Sequence, residues 1–390
     1  MLQSGGARLR LALIRQRYNP YGGAERFIER AIAALEPRGV EVTLLTREWE
    51  AASERSTRIV NPWHAGRLWR DVSFAREVRR VFERERFDLV QSHERIAGCD
   101  LYRAGDGVHR QWLAHRAAGA GLLERLGIRL NPYHHYVCAA EKAMFAHPSL
   151  RGVICNSRMV AQEIGRHFGV AAEKLHVIYN GVDLQHFHPR MRDELRAAAR
   201  GELGCQQGDT VFAFVGSGFA RKGLGAAIEA LAASGRRDFR LVVAGSDRAA
   251  RRYAGQARRA GIADRVHLLG GREDVRPVYA AADCFMLPTR YDPFPNAALE
   301  ALAMGLPVIV SERCGAAELV ESGVNGWVCE PDAPAPLAAL MIAAAADEPA
   351  RGRAARATAE AFGIDAMAQR MSGLYESLLG RAVPRAPGGT

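Results

Sequence analysis

A basic pair inside a glycine-rich stretch is the strongest chemical signal in the sequence. Residues 216–223 read GSGFARKG, with Gly216 and Gly218 ahead of the pair, and they stand between a strand pattern and a helical pattern. Glycine lets the backbone approach a ligand closely, and the start of a helix attracts anions. Arg221 offers a planar fork to phosphate oxygens, and Lys222 adds a compact positive charge. The spacing matches neither the dinucleotide fingerprint nor the P-loop, so a phosphate site and an ordinary strand–helix turn are both open.

Two carboxylates eight positions apart, Asp292 and Glu300, form the second signal. Asp292 lies in a proline-rich loop, and Asn296 is the predicted N-cap of the helix that follows. Glu300 falls on the second turn of that helix among apolar residues, where it could accept hydrogen bonds from the vicinal hydroxyls of a sugar or a ribose. Taken alone, Glu300 is more simply interpreted as an exposed helical residue.

Two shorter turns could also carry chemistry. Gly22 and Gly23 lie between the first predicted strand and the first predicted helix, where backbone amides could face an anion. Asp106 lies between two glycines and could be a catalytic or hydroxyl-binding group. Asp-Gly is also common turn chemistry, and for Asp106 alone the turn is the simpler interpretation.

Alternating strand and helix patterns must position these residues. Strand, helix, strand in succession predicts parallel pairing with right-handed crossovers, so each half of the chain should form a doubly wound sheet. Ligands bind such sheets at the carboxyl ends of the strands. Residues 180–208 are polar and partly helical, and we interpret them as the linker between the halves. The predicted strands are residues 9–14, 40–45, 87–93, 211–215, 239–244, 266–269, 283–287 and 307–311.

Length and composition indicate a globular protein of two domains. The chain has 390 residues, of which 48% are hydrophobic and 25% charged, which excludes disordered and collagen-like classes. The longest apolar run, residues 337–346, is about half of what a bilayer span needs, and residues 1–10 do not resemble a secretory signal. Seven widely spaced cysteines favour a reducing cytosol without a disulfide framework or a metal cluster.

Taken together, the motifs resemble family 4 of the retaining glycosyltransferases. Within that family the chain is similar to the lipopolysaccharide-core glucosyltransferases, which add glucose to an inner-core heptose. The resemblance extends over roughly residues 9–379. The motifs that carry it are Gly22-Gly23, TREWE at residues 46–50, YRAGD at residues 102–106, GSGFARKG at residues 216–223, Asp292 with Glu300, and CGAAE at residues 314–318.

The resemblance implies an α/β protein of the GT-B class, with two Rossmann-like domains of parallel sheet facing a central cleft. Residues 1–185 would form the acceptor-binding domain and residues 186–365 the domain that binds the nucleotide sugar. A helix at residues 366–380 would cross back to the first domain. No metal ion or other cofactor is implied, and the donor would be a UDP-sugar.

The resemblance also assigns roles to individual residues. Arg221 and Lys222 would clamp the donor diphosphate and stabilise it as it leaves, so they would be catalytic together with the aspartate Asp106. Glu300 would hold the ribose. Asp292 occupies the position that contacts the hydroxyls of the donor sugar, where the family usually has glutamate. The remaining residues that we expect to bind the donor are Gly22, Gly23, Gly216, Gly218 and Glu318.

The excess of positive charge lies mainly in the first half of the chain. Residues 1–185 carry 28 basic and 20 acidic side chains (+8), whereas the rest carries 25 and 23 (+2). Residues 103–135 combine arginines with leucines and aromatic residues, which suits either contact with an anionic membrane or a solvated helix with a core face. The resemblance favours the membrane. We therefore expect a cytoplasmic protein, peripheral at the inner face of the plasma membrane.

The expected donor is a nucleotide sugar, with UDP-glucose as the first candidate. The expected acceptor is lipopolysaccharide or another lipid-linked glycan. Nucleic acid is not expected, because no basic repeat interleaved with aromatic residues occurs. Two alternatives stay open at the level of sequence. The same fold could transfer mannose or an N-acetylhexosamine to a different envelope glycan, or the chain could be a UDP-sugar epimerase.

Overall fold

The computed structural model describes residues 8–16, 31–48, 57–346 and 349–380. The chain divides into two compact units, and we call Met1–Tyr179 with Asp365–Thr390 unit 1 and Asn180–Ile364 unit 2. The first boundary therefore falls six residues before the predicted one at residue 185. The carboxyl-terminal residues return to unit 1 after Ile364.

Unit 1 is built on a parallel sheet of seven strands in the order β3-β2-β1-β4-β5-β6-β7. Each strand pairs in parallel with its neighbours, as the alternating pattern predicted for β1, β2 and β4. The strands are β1 (Leu9–Ile14), β2 (Val40–Thr46), β3 (Thr57–Ile59), β4 (Leu89–Ser92), β5 (Leu101–Arg103), β6 (Gly152–Cys155) and β7 (Leu175–Val177).

Helices connect the strands of unit 1 and cover the sheet. Phe74, Val78 and Val81 of the first one are buried against it, and the spacing of these residues places them on one helical face. The helices with described bounds are α1 (Gly66–Arg84), α2 (His109–Ala118), α3 (Leu122–Leu130), α4 (Pro132–Phe145) and α5 (Arg158–Phe168).

Unit 2 is built on a second parallel sheet, of six strands in the order β10-β9-β8-β11-β12-β13. Its central strands are apolar and almost completely buried, as expected when helices cover both faces of a parallel sheet. The strands are β8 (Thr210–Val215), β9 (Phe239–Ala244), β10 (Val266–Leu268), β11 (Cys284–Leu287), β12 (Val308–Ser311) and β13 (Gly326–Cys329).

The helices of unit 2 include one that the sequence analysis placed in a linker. The bounds are α6 (Pro189–Glu202), α7 (Phe219–Lys222), α8 (Leu224–Ala233), α9 (Ala250–Arg259), α10 (Arg276–Ala281), α11 (Asn296–Ala303), α12 (Pro334–Ala344) and α13 (Pro349–Glu360). Residues 180–208 are therefore not a free linker. Arg196 of α6 donates hydrogen bonds to the carbonyl oxygens of Ala280 and Ala282, which fixes α6 on the end of α10.

The last helix, α14 (Ile364–Leu379), packs in unit 1. Tyr375 is fully buried, and its Oη donates a hydrogen bond of 2.8 Å to Oε1 of Gln91 on β4. Burying a phenol is favourable only when its hydroxyl is satisfied, so this bond fixes the helix to one position on the sheet.

Candidate active site

The glycine-rich stretch after β8 folds into a single helical turn, α7, which has a glycine at each end. Gly218 has φ 79° and precedes α7, whereas Gly223 has φ 82° and ends it. A Cβ on Gly223 would lie 2.0 Å from the carbonyl oxygen of Pro288, so no other residue fits without moving that loop. Arg221 and Lys222 therefore end a short helix, whereas the sequence pattern had placed them ahead of a longer one.

The two cations of this turn both contact Asp292. Lys222 is buried, and its Nζ forms a short ion pair with Oδ2 of Asp292. Nη1 of Arg221 lies 3.0 Å from the same oxygen and donates a second hydrogen bond to the carbonyl oxygen of Tyr291. The structure thus brings together three residues that the sequence analysis assigned to donor binding.

The protonation of this cluster follows from burial and charge. Burial alone would raise the pKa of Asp292, but Lys222 and Arg221 outweigh it and lower that pKa. Burial and the neighbouring Arg221 lower the pKa of Lys222, while Asp292 opposes them. Because Asp292 is ionised, two cations and one carboxylate give the cluster a formal net charge of +1, which suits an anionic ligand.

Backbone hydrogen bonds hold Asp292 against the loop that follows β12. The amide of Asp292 donates to the carbonyl oxygen of Arg313 at 3.0 Å, and the amide of Gly315 donates to the carbonyl oxygen of Asp292 at 2.9 Å. Glu318 is exposed on the short 3₁₀ helix Gly315–Leu319 of this same loop. The predicted CGAAE motif therefore adjoins Asp292.

Glu300 is buried on α11, with 5% of its surface exposed, so the interpretation as an exposed helical residue is wrong. Its Oε2 accepts a hydrogen bond of 3.0 Å from the hydroxyl of Tyr279, a residue that the sequence analysis missed. The predicted N-cap at Asn296 is also wrong, because Pro295 occupies the cap position. Nδ2 of Asn180 donates a hydrogen bond to the side-chain oxygen of Asn296. This oxygen is the group that would otherwise cap the helix.

Asp106 lies in unit 1 on the turn that follows β5, and about half of its side chain is exposed. Nη1 of Arg15 lies 3.8 Å from its Oδ2 and 3.7 Å from Oε1 of Glu94. Burial raises the pKa of Glu94, Arg15 opposes the rise, and Asp106 adds to it. Arg15 directly follows β1, and Glu94 is the second residue after β4. Their position at the carboxyl ends of predicted strands was the signal that could have found them.

His109 lies three residues after Asp106 and contacts His134 through its Nε2 at 3.0 Å. Burial, with Arg95 and His134, lowers the pKa of His109 to about 3, so its ring is neutral at physiological pH. Gly22 and Gly23 lie outside the described residues, and their assignment to donor binding stays a prediction.

Comparison with known proteins identifies the family. A model described as "Glycosyltransferase Family 4" matches residues 21–186, and one described as "Glycosyl transferases group 1" matches residues 196–361. The chain is a family 4 glycosyltransferase. This confirms the resemblance given by the motifs. Both models are of transferases, which favours transfer over the epimerase alternative.

Individual relatives agree with this assignment. The glycosyltransferase is 27% identical over 319 residues to the lipopolysaccharide glucosyltransferase WaaG of Escherichia coli K12, an alignment that spans 80% of this chain and 83% of WaaG. A crystal structure of WaaG matches with a TM-score of 0.80 at 25% identity, covering 95% of this chain and all of that one. The predicted GT-B fold class is therefore confirmed. A structure of HepE from Anabaena in complex with UDP-glucose matches with a TM-score of 0.74 at 21% identity, covering 95% and 100%.

We expect Lys222→Ala and Glu300→Ala each to abolish glycosyl transfer while the protein stays folded. Lys222→Ala leaves Asp292 paired with Arg221, so no carboxylate becomes an isolated buried charge. Transfer assays with nucleotide sugars and thermal unfolding measure the two properties. Lys174→Ala is the control, because Lys174 belongs to unit 1 rather than to the donor cluster of unit 2. Among the described residues, it donates to the carbonyl oxygen of Leu150. Near-wild-type turnover in either folded variant would contradict the assigned site.

Proposed function

We propose that this glycosyltransferase moves glucose from UDP-glucose onto a heptose of the lipopolysaccharide inner core, with retention of configuration. The observation that carries the donor half of this proposal is the cluster of Lys222, Arg221 and Asp292, with Glu300 buried in the same unit. The similarity to a lipopolysaccharide glucosyltransferase supports the sugar and the acceptor. The structural likeness to a protein that was crystallised with UDP-glucose supports the nucleotide.

The cluster suits a diphosphate because Asp292 carries one negative charge against the two positive charges of Arg221 and Lys222, so one positive charge is left over. A bound diphosphate would compete with Asp292 for Arg221 and Lys222, and the carboxylate would then be available to the hydroxyls of the donor sugar. As the bond between the anomeric carbon and the diphosphate breaks, negative charge accumulates on the departing oxygens. Fixed cations in a buried setting stabilise that charge without a metal ion. Among the described residues, no group of three or more His, Cys, Asp or Glu side chains could hold a metal.

Glu300 and Tyr279 would bind the nucleoside. A carboxylate accepts hydrogen bonds from two neighbouring hydroxyls, which a ribose presents, and charged acceptors make the stronger bonds. The hydroxyl of Tyr279 orients the carboxylate through Oε2.

Asp106 would act on the acceptor side of the reaction. In a front-face route, the acceptor oxygen bonds to the anomeric carbon on the face that the diphosphate leaves, and the acceptor proton passes to the departing phosphate oxygen. Asp106 would orient the acceptor hydroxyl or stabilise the positive charge that develops on the sugar ring. Arg15, close to Asp106 and Glu94, would hold both carboxylates in place.

A screen of nucleotide sugars tests the proposed donor. We expect hydrolysis and thermal stabilisation with UDP-glucose, and much weaker effects with UDP-galactose, UDP-N-acetylglucosamine and GDP-mannose. Asp292→Glu, which introduces the residue usual in the family, should keep the donor preference, whereas Asp292→Asn should lose turnover. Activity only with a GDP-sugar would overturn the donor assignment and leave the fold intact.

We also propose that the enzyme binds an anionic membrane surface through α3. The helix exposes a row of leucines spaced along one face, and Leu122 and Leu123 are 85% and 87% exposed. The remaining leucines of the row are Leu126 and Leu130. A leucine that is fully buried contributes roughly 1.5–3 kcal/mol, so four could hold a helix at the lipid interface. No helix among the described residues could cross a bilayer. We propose peripheral attachment at the cytoplasmic face.

Two arginines hold α3 in place next to α2. Nε of Arg116 lies 3.0 Å from Oε1 of Glu124, and Nε of Arg125 donates to the carbonyl oxygen of Ala117 at 2.9 Å. These contacts join α3 to the end of α2. Basic side chains beside an apolar face favour membranes that contain anionic lipids.

The membrane proposal predicts that Leu123→Asn with Leu126→Asn reduces co-sedimentation with vesicles of phosphatidylglycerol and phosphatidylethanolamine. Binding by the unaltered enzyme should weaken as salt is raised, because surface charges are screened. Ile342→Asn is the control, since Ile342 is 46% exposed on α12 in unit 2. If the unaltered enzyme stays in the supernatant at low salt, the membrane proposal fails.

A further inference from the structure

We propose that Glu141 is a positioning residue that fixes Asp106 through Arg95 and the first turn of α2. This inference rests on the proposed function only in treating Asp106 as the group that meets the acceptor. All the residues involved lie in unit 1, on the loops after β4 and β5 and on α2 and α4.

The turn that carries Asp106 is held on both sides of that residue. The amide of Gly107 closes the turn by donating to the carbonyl oxygen of Ala104 at 3.2 Å. Nδ2 of Asn156 donates to the carbonyl oxygen of Gly105 at 3.3 Å, and Nη2 of Arg95 donates to that of Gly107 at 3.3 Å. The backbone of Asp106 is thus fixed by its neighbours, while its side chain stays half-exposed.

Glu141 supplies the partner for this arginine. It lies on α4 with 1% of its surface exposed, and its Oε1 accepts a hydrogen bond of 2.9 Å from Nε of Arg95. The same oxygen accepts from the amide of His109 at 2.7 Å, and Oε2 accepts from the amide of Arg110 at 3.4 Å. One carboxylate therefore holds both the arginine that binds Gly107 and the first residues of α2.

The first turn of α2 depends on a distant residue for its cap. The N-cap position, Val108, has no side chain that can accept a hydrogen bond, and Glu141 satisfies the free amides in its place. A negative group at the start of a helix is favourable for the helix dipole as well. The segment between Asp106 and α2 is two residues long, so the position of the helix start determines that of Asp106.

The burial of Glu141 argues against a role in packing alone. A buried carboxylate loses its hydration, and an apolar side chain would fill the same space at lower cost. All three groups that donate to Glu141 flank the turn of Asp106, either directly or through the contact of Arg95 with Gly107. The hydrogen bonds that offset the lost hydration of Glu141 therefore all lie around the turn of Asp106.

Kinetics of Glu141→Gln and Glu141→Asp test the inference on the full chain. Glu141→Gln removes the charge and places an amide group against donors, so we expect kcat to fall about tenfold or more, with KM for UDP-glucose unchanged. Glu141→Asp keeps the charge and should recover part of kcat. Glu163→Gln is the matched control, since Glu163 is a buried glutamate of α5 in the same unit and should leave kcat near the wild-type value.

Hydrogen exchange separates positioning from general destabilisation. In Glu141→Gln we expect faster exchange of the amides of residues 107–110, with those of the central strands unchanged. Wild-type kcat in folded Glu141→Gln, or equally accelerated exchange throughout unit 1, would overturn the inference. If Glu141→Gln does not fold, Arg95→Lys replaces it, because lysine keeps the charge without the second contact to Gly107, and it should show the same defects.

Asp106→Asn distinguishes a failure of this inference from a failure of the proposed function. Loss of transfer in Asp106→Asn together with full activity of Glu141→Gln would overturn the positioning role alone. Wild-type transfer by Asp106→Asn would overturn the role of Asp106 and the inference with it.

Discussion

One buried carboxylate, Asp292, organises the loops of unit 2 that carry the donor chemistry. Its side chain pairs with Lys222 and Arg221 after β8, and its backbone is bound to the loop after β12. Removing one partner of a buried ion pair leaves a charge without compensation and costs about 3–5 kcal/mol. The three loops therefore stabilise one another. A ligand that displaces Asp292 must offer an equivalent negative charge, which a nucleotide diphosphate does.

Charged groups also hold the loops of unit 1 together. Arg15 lies between the carboxylates of Asp106 and Glu94, and Glu141 accepts hydrogen bonds from Arg95 and from the amide of His109 next to the turn of Asp106. Glu141 belongs to α4, which directly follows the helix with the exposed leucines. The proposed membrane helix and the turn of the proposed catalytic aspartate are both joined to α2, whose end binds Arg125 of α3 and whose start binds Glu141.

The sequence predicted β1, β2 and β4 of unit 1 and five of the six strands of unit 2, because strands buried on both faces give apolar runs that are easily recognised. The strands that it did not predict are β3, β5, β6, β7 and β13, each of three or four residues. Arg221, Lys222 and Glu300 could be selected as candidates because each belongs to a short motif, and their roles stay predictions. The pairing of the cations with Asp292 was not predictable, because it joins residues about 70 positions apart through loop packing. Asn296 failed as an N-cap because its side chain binds Asn180, a partner distant in sequence. Single residues without a motif, such as Tyr279 and Glu141, gave no local signal for their contacts.

The affinity of Asp292→Asn for UDP tests the central claim most directly. Isothermal titration of UDP into the unaltered enzyme and into this variant compares a cluster of net charge +1 with one of +2. The account predicts that UDP binds the variant more tightly, by about tenfold, because a competing carboxylate is gone, while glucosyl transfer is lost. Equal or weaker UDP binding with transfer retained would contradict the assignment of this cluster to the donor diphosphate.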